Sequence, residues 1–215
     1  MKSNKPRRIN KSSQPATNRV PHTAQTWLAA ILLAAATCLS FLPILGNSFV
    51  DWDDAESLLN NPHYRGLGWD QIRWMFTTFH TGHYQPLSWV TFGFDYMLWG
   101  MDPFGYHLTN LLIHTGNTLL FFFLCRRLLS TALSVADGGE SWQQLQLGAV
   151  VSALLFGIHP LRVESVAWAT ERRDVLSGLF YLLTVYAYLR AAASQRRSSP
   201  QWLSLACVSY VLSLL

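Results

Sequence analysis

The chain has 215 residues, of which 50% are hydrophobic, 13% aromatic and 13% charged. Soluble domains carry about 25% charged residues, so this composition indicates a membrane protein. The net charge of +4 is concentrated in one tail and a few short loops, which argues against nucleic-acid binding. The three cysteines lie inside apolar runs with no CxxC pairing, which favours buried thiols over a disulfide or a zinc site.

Five apolar runs of the chain predict membrane-spanning helices. Residues 1–26 precede them and are predicted to form a disordered, basic, cytoplasmic tail, because they carry six Lys and Arg residues and no apolar periodicity. The last run ends after about 14 residues where a span needs about 20, so we expect a membrane domain, 27–215, that is truncated at its C-terminus. The predicted spans cover about 27–45, 107–125, 145–158, 175–189 and 202–215.

The distribution of charges predicts the orientation. Eleven of the 16 Lys and Arg residues lie in the tail or in loops on the same side of the membrane, as the positive-inside rule requires of a cytoplasmic N-terminus. Two outer loops, 47–106 and 159–174, hold nearly all the Asp and Glu residues. Because both loops face one compartment, they can contribute to a single site.

The first outer loop is too polar to span the membrane and too aromatic for an ordinary loop. Apolar residues recur at helical spacing over Trp69–Phe79, which predicts an amphipathic helix lying in the interface. Pro86–Trp99 is a second apolar stretch, but it has only about 14 residues and contains Asp95. An interfacial or re-entrant helix therefore fits it better than a span.

A cluster of carboxylates opens this loop. Asp51, Asp53, Asp54 and Glu56 lie close together directly after the first span. Charges are costly in hydrocarbon and like charges repel, so water, a metal ion, an arginine or a substrate has to compensate them. The residues alone allow two interpretations: an acidic turn that sets the topology, or a general base or metal ligand in the half-apolar surroundings of Trp52.

The second outer loop carries arginine side chains on the same side of the membrane. Arg172 and Arg173 stand between Glu171 and Asp174 at the start of the fourth span. An arginine fork matches the oxygens of a phosphate and stays charged, so these arginines are candidates for phosphate binding. The alternative is that the neighbouring acids neutralise them. His159, which a proline follows, is a supporting polar group or only a helix stop.

The remaining polar residues of the membrane domain give weaker signals. His80 and His83 have a spacing that allows two metal ligands, but no third ligand is evident nearby, so a polar lining or a hydrogen-bonding role competes. His107 and His114 lie seven residues apart on the second span, which is more typical of packed, hydrogen-bonded histidines than of ligands. Two further acids either orient groups in a cavity or meet water: Asp95 and Asp102.

No P-loop, GxGxxG, GxSxG or HExxH motif occurs in the sequence. The sequence therefore contains no recognisable binding motif for a soluble nucleotide substrate. A lipid-linked substrate needs none of them, because the membrane itself delivers the carrier.

The chain resembles the N-terminal membrane half of transmembrane-and-tetratricopeptide-repeat proteins, especially their bacterial members. The resemblance covers roughly Phe49–Arg190 and rests on three segments in the same order, FVDWDDAESLLNNPHYRGLGWDQIRWMFTTFHTGHYQPLSWVTF, DPFGYHLTNLLIHTGNTLLFFFLCRRL and HPLRVESVAWATERRDVLSGLFYLL. These proteins are similar to GT-C fold glycosyltransferases and, at a distance, to protein O-mannosyltransferases. The resemblance implies an all-α polytopic membrane protein with GT-C-like transmembrane helices and a long extracytoplasmic first loop that carries interfacial helices.

The resemblance also implies roles for particular residues. The family places an essential acidic pair after the first span, and the match falls on Asp53 as the base and Asp54 as its helper, or as a metal ligand where a metal is used. Arg172 or Arg173 matches the arginine that faces the lipid phosphate. The resemblance does not specify a metal; a divalent cation, where one is used, would bind to Asp53 and Asp54. Supporting residues are His159, Glu164, Glu171, Asp174 and His83.

The predicted function is therefore a membrane glycosyltransferase that moves a sugar from a polyprenyl-phosphate carrier to an extracytoplasmic acceptor such as a protein hydroxyl or a glycan. The resemblance places it in the bacterial inner membrane, with the site facing the periplasm. Family members continue into more spans and a tetratricopeptide repeat domain, which this sequence lacks. One alternative is a non-enzymatic membrane anchor for such a repeat domain. A transporter fits less well, because the acids cluster in loops rather than at mid-depth of the spans.

Overall fold

Helices make up the regular structure of the chain in a computed structural model, which describes residues 22–133, 140–193 and 200–215. No β-strand occurs within these ranges, so the predicted all-α class is confirmed. The elements in chain order are α1 (His22–Phe41), a 3-10 turn (Leu42–Gly46), a π-helical turn (Ala55–Leu59), α2 (Trp69–Thr77), α3 (Pro86–Trp99), α4 (Pro103–Ala132), α5 (Glu140–Gly157), α6 (Arg162–Ala167), α7 (Arg172–Ala192) and α8 (Pro200–Ser213).

Three of the described helices are long and apolar enough to cross a membrane. They are α1 together with its 3-10 turn (25 residues), α4 (30 residues) and α7 (21 residues). The exposed face of α1 carries Leu28, Ile31 and Leu32, as expected of a helix that faces lipid. The chain is therefore a polytopic membrane protein. Whether α5 and α8 also cross the membrane stays a prediction.

The first helix begins earlier than the hydrophobic run indicates. Residues 1–21 of the predicted tail lie outside the described residues, whereas 22–26 belong to α1 rather than to a tail. The reason is tertiary packing, because the ring of His22 lies 4.4 Å from that of Trp142 on α5, measured between centroids. This contact packs the first turn of α1 against α5.

The long loop between α1 and α4 contains the two helices predicted for it. Helix α3 has the predicted bounds, with Pro86 in its first turn and Gly100, at φ 60°, after its end. Helix α2 ends at Thr77 rather than Phe79, because Thr78 is extended. The second loop, by contrast, contains the short helix α6, which the sequence did not indicate.

An aromatic core makes the first loop a packed unit. The ring of Tyr64 lies within 6.3 Å of those of Trp89, Phe92 and Tyr96, measured between centroids. Ala169, from the loop before α7, belongs to the same core, so the two loops pack together. The fully buried members of this core are Leu58, Tyr64, Met75, Trp89, Phe92, Tyr106 and Ala169.

A buried stripe of four polar side chains runs along α4. His107, Asn110, His114 and Asn117 recur on one face of the helix, and each is at most 2% exposed. Three of them donate to backbone carbonyls at the ends of neighbouring elements: Asn110 to Trp168 (3.0 Å), His114 to Gly157 (2.8 Å) and Asn117 to Val175 (2.8 Å). The stripe thus holds the ends of α5 and α6 and the start of α7 against α4. These helix termini and the two outer loops together form the part of the molecule called the loop end below.

We expect Gly93→Ala to lower the free energy of unfolding by about 1–3 kcal/mol, because overpacking a filled core has this cost. A Cβ at Gly93 would lie 2.7 Å from the backbone oxygen of Gly66 and 2.9 Å from Met75 Cε. Thermal unfolding in detergent measures the change. Gly116→Ala on α4 is the matched control, since no atom lies within 4 Å of its added Cβ. Equal behaviour of the two variants would contradict the packing described for α3.

Candidate functional site

Asp54 joins the two loops. Its side chain is fully buried, with Oδ2 accepting from the Val50 backbone N–H (3.0 Å) and Oδ1 from the Thr170 backbone N–H (3.0 Å). Charge-assisted bonds of this kind are the strong ones among protein hydrogen bonds. Since Thr170 lies 116 residues further along the chain, one carboxylate brings together the two segments for which the sequence predicted a shared site.

Asp53 is exposed, unlike its neighbour Asp54. Asp51 and Glu56 are also exposed, so only one of the four clustered acids is withdrawn from solvent. The acidic pair leads directly into a π-helical turn, in which Asn60 N–H donates to the oxygen of Ala55 (2.9 Å). Single π-turns are frequent at functional sites. Asp53 is therefore a free carboxylate on a backbone that Asp54 holds in place.

Arg172 is fully buried and surrounded by partners. It forms an ion pair with Asp95 Oδ2 at 2.5 Å, donates from Nε to Asn110 Oδ1 (2.7 Å) and donates from Nη2 to the oxygen of Tyr106 (2.8 Å). Its guanidinium carbon lies 4.3 Å from the ring centroid of Phe92. These contacts connect α3, α4 and α7, and they leave no face of the guanidinium open to a lipid phosphate.

Asp95 is the other half of this buried pair. Thr109 Oγ1 donates to its Oδ1 at 2.7 Å. Burial raises the pKa of Asp95 above its ordinary value, while the positive charge of Arg172 opposes that rise. Of the two roles that the sequence allowed for Asp95, the structure supports the orientation of other groups rather than contact with water.

Arg173 points differently from Arg172. Its side chain is 38% exposed, and its Nη2 donates to Glu171 Oε1 at 3.0 Å. Burial raises the pKa of Glu171, and the charge of Arg173 opposes this effect. Asp174, one residue further on, is exposed and accepts from Ser165 Oγ (3.2 Å). Of the two predicted phosphate ligands, Arg173 alone is accessible, and its ion pair is of the weak surface kind.

The other predicted supporting residues are exposed. His159 accepts from the Leu161 N–H through Nδ1 (3.2 Å), and His83 lies after a tight turn in which Thr81 has φ 51°. Glu164 lines an open cavity of about 520 Å³ between the two loops. The same cavity is lined by Asn47, Val50, Trp52, Val163, Ala167 and Trp168. Trp52, which directly precedes Asp53 in the chain, thus lines an open, largely apolar space.

The described residues do not supply a complete metal site. Within them, no group of three or more His, Cys, Asp or Glu side chains is close enough to hold an ion. Both oxygens of Asp54 already accept backbone hydrogen bonds. The pair Asp53 and Asp54 is thus not a fitting ligand set by itself.

Sequence reasoning missed three residues of the loop end: Asn110, Asn117 and Arg162. Asn110 accepts from Arg172 Nε and donates to the backbone oxygen of Trp168, so it holds both the arginine side chain and the second loop in place. A signal for the asparagines was present, because polar residues at helical spacing within a span are costly unless they meet partners. Arg162 gave no signal, since its loop has no periodicity from which α6 could be predicted.

Comparison with known proteins finds relatives that match most of the chain. The chain is 30% identical over 191 residues to Protein O-mannosyl-transferase tmtc2 of Xenopus laevis, which covers 85% of this chain and 21% of that protein. It is 34% identical over 174 residues to Protein O-mannosyl-transferase TMTC1 of Homo sapiens (76% of this chain, 18% of that protein).

A third relative is Protein O-mannosyl-transferase Tmtc3 of Drosophila melanogaster, at 38% identity over 132 residues (57% of this chain, 14% of that protein). The chain therefore spans about a fifth or less of the length of these curated relatives. No protein-family model matches the chain. No solved structure matches it either.

We expect Asp95→Asn to destabilise the protein by about 3–5 kcal/mol, because it leaves the buried charge of Arg172 without its partner. Thermal unfolding in detergent measures the loss. Asp70→Asn, at an exposed acid in the first turn of α2, is the control and should change stability by less than about 1 kcal/mol. The double variant Asp95→Leu/Arg172→Met should recover part of the loss, and a double variant no better than Asp95→Asn would contradict the ion pair as the cause.

Proposed function

We propose that the chain is part of a membrane glycosyltransferase of the transmembrane-and-tetratricopeptide-repeat family, of the GT-C type. The proposed reaction moves a sugar from a polyprenyl-phosphate carrier to a protein hydroxyl on the extracytoplasmic side, with the N-terminus in the cytoplasm. The similarity to proteins named O-mannosyl-transferases supports a sugar as the transferred group and a protein as the acceptor. The bacterial inner membrane as its location stays a prediction.

One observation carries the assignment of the site. Both carboxylate oxygens of Asp54 accept the hydrogen bonds that join the two loops, whereas Asp53 is exposed and directly follows Trp52, which lines the open cavity. A general base needs a carboxylate that is free to accept a proton. We therefore assign the base to Asp53, and we assign Asp54 to positioning it.

The proposed chemistry is a direct transfer. The acceptor hydroxyl attacks the anomeric carbon of the sugar while its proton passes to the carboxylate of Asp53. A bond forms between the acceptor oxygen and the anomeric carbon, and the bond from that carbon to the phosphate oxygen breaks. The polyprenyl phosphate leaves with the electron pair, and the proton on Asp53 is then lost to solvent. No step in this scheme requires a metal ion.

Arg173 is the arginine proposed to face the leaving phosphate. Its guanidinium is partly exposed, and its bond to Glu171 can be exchanged for one to a more highly charged phosphate. Arg172 is proposed to act only as a positioning residue, since its donors are already taken by Asp95, Asn110 and Tyr106. Cationic stabilisation of the developing charge on the leaving group is a large contribution to such reactions.

We expect Asp53→Asn to reduce sugar transfer by about 10²–10⁴-fold, because the amide cannot accept the proton. The measurement is transfer of labelled sugar from a polyprenyl-phosphate donor to protein, in membranes of cells that produce the protein. Asp51→Asn and Glu56→Gln are matched controls, since both acids are exposed in the same cluster and should keep most of the activity. Unchanged turnover by Asp53→Asn at equal protein levels would overturn the assignment and favour the membrane-anchor alternative.

We expect Arg173→Ala to raise the KM for the lipid donor at least about tenfold, because a charge-assisted bond to phosphate contributes about 1.5–3 kcal/mol. Arg173→Lys should recover part of the affinity, since lysine keeps the charge but lacks the planar fork. Arg172→Ala should instead reduce the amount of folded protein. A KM for Arg173→Ala equal to that of the unmodified protein would remove Arg173 from the donor site.

A comparison of glycoproteins from cells with and without the intact gene would identify the sugar and the acceptor together. Loss of a defined hydroxyl-linked sugar from membrane or secreted proteins is the expected result. Identical glycoproteomes would contradict the proposed transfer.

A further inference from the structure

The open cavity between the two outer loops has a lining that the proposed transfer does not use. Two of the residues that line it are tryptophans, Trp52 from the first loop and Trp168 at the end of α6. Trp52 is 74% exposed, which is unusual for so large an apolar side chain. The rest of the lining is apolar except for Asn47 and Glu164. The cavity therefore presents aromatic surface and one carboxylate to a ligand.

The carboxylate of Glu164 is accessible to a ligand. Glu164 is exposed, and within the described ranges its carboxylate forms no hydrogen bond or ion pair. The arginine of the same helix, Arg162, does not neutralise it: its guanidinium carbon lies 4.5 Å from the ring centroid of Phe156, and it lines a different cavity of about 360 Å³. Among the described residues that line the open cavity, Glu164 alone is charged.

Hydrogen bonds of the backbone fix both tryptophans of this cavity. Trp168 N–H donates to the oxygen of Glu164 (3.2 Å), and because residues four apart share one side of a helix, the two side chains lie on the same side of α6. Asn110 donates to the oxygen of Trp168 (3.0 Å). In the first loop, Trp52 N–H donates to the oxygen of Val50 (2.8 Å). A ligand therefore meets a lining whose backbone is already ordered, which lowers the entropic cost of binding.

The chemistry of this lining favours an organic cation. A cation is attracted to the face of an aromatic ring, and tryptophan is the best ring for this interaction. A carboxylate adds a charge-assisted hydrogen bond to the same group. An anion would be repelled by Glu164, and an uncharged side chain would gain nothing from its carboxylate. Lysine and arginine side chains fit, because their apolar stems pack on apolar surface while their charged ends reach a polar partner.

We infer that the open cavity binds a lysine or arginine side chain of the acceptor polypeptide, close in sequence to the residue that receives the sugar. The inference rests on the proposed function, because that function supplies the polypeptide. Trp52 directly precedes Asp53, the proposed base, and an extended polypeptide advances about 3.3 Å per residue. The cation therefore lies within a few residues of the acceptor hydroxyl. Glu164 and Trp52 determine which acceptors bind and take no part in the chemical step.

The test measures binding of fluorescent peptides to the full chain in dodecyl maltoside, an uncharged detergent, by fluorescence polarisation. The probes are alanine-threonine heptapeptides whose central residue is lysine, norleucine or glutamate. Norleucine keeps the carbon chain of lysine but has no ammonium group. We expect the lysine peptide to bind at least about threefold more tightly than the norleucine peptide, by the value of a cation on an exposed aromatic ring, and the glutamate peptide to bind least. Equal Kd values for lysine and norleucine, or no binding of either, overturn the inference.

The variants decide whether the discrimination belongs to this cavity. Glu164→Gln should lower the ratio of the norleucine Kd to the lysine Kd at least about twofold, and Glu164→Asp should recover part of it. Trp52→Ala should lower the same ratio, and Trp52→Phe should recover part of it, because phenylalanine keeps a ring face. Glu56→Gln removes an equally exposed charge outside the cavity lining, so this matched control should keep the ratio. An unchanged ratio in Glu164→Gln protein that is folded by gel filtration overturns the inference.

A competing lipid distinguishes a polypeptide from a membrane head group as the occupant. Phosphatidylethanolamine also carries an ammonium group, and its addition to the micelles should leave the norleucine-to-lysine ratio unchanged. Loss of the ratio would place the lipid head group in the cavity and overturn the polypeptide as its occupant. None of these measurements requires sugar transfer, so failure of this inference and failure of the proposed activity are separate results.

Discussion

The ion pair between Arg172 and Asp95 is the interaction on which the loop end of the molecule depends. Neither charge meets water, and each would be costly to bury alone. Together they connect the first turn of α7 to α3, while Asn110 and Tyr106 add the contacts to α4. A helix of the first loop is thus fixed to two candidate membrane spans by one guanidinium.

This arrangement explains how the chain holds a site on loops rather than on helices. The aromatic core packs the first loop against Ala169, and Asp54 then accepts from the next residue, Thr170. The carboxylate bridge lies beside the packed region, so little backbone freedom remains on either side of it. Two adjacent acids thereby acquire different properties, one fixed in the interior and one free at the surface. In the proposed transfer a carboxylate needs both a rigid support and access to substrate, and Asp54 and Asp53 would divide these requirements.

The polar stripe on α4 holds the ends of the neighbouring elements together. Asn110 and His114 use their hydrogen bonds to hold the ends of neighbouring elements. Asn117 does the same with its Nδ2, which donates to the oxygen of Val175. Helix α6 lies between the cavity that Asn117 lines and the open one that Trp52 lines.

The sequence by itself determined the all-α membrane class and the positions of most helices, because hydrophobic length and periodicity are local properties. It predicted the bounds of α3 from Pro86 to Trp99 and made the two arginines candidates, and the family resemblance singled out the acidic pair. It could not decide which member of each pair is buried. Successive residues on a helix point about 100° apart, so only the packing around α7 turns Arg172 inward and leaves Arg173 accessible.

Tertiary structure alone decided the partners. Asp95 and Arg172 are 77 positions apart, and Asp54 and Thr170 are 116 apart, so no local pattern could connect them. The six-residue helix α6 is too short to produce a periodic pattern in the sequence. Only the structure shows that its residues line two different cavities. The local sequence identified the candidate residues of the site. Long-range packing determined which of them are buried supports, which are exposed and which line a cavity.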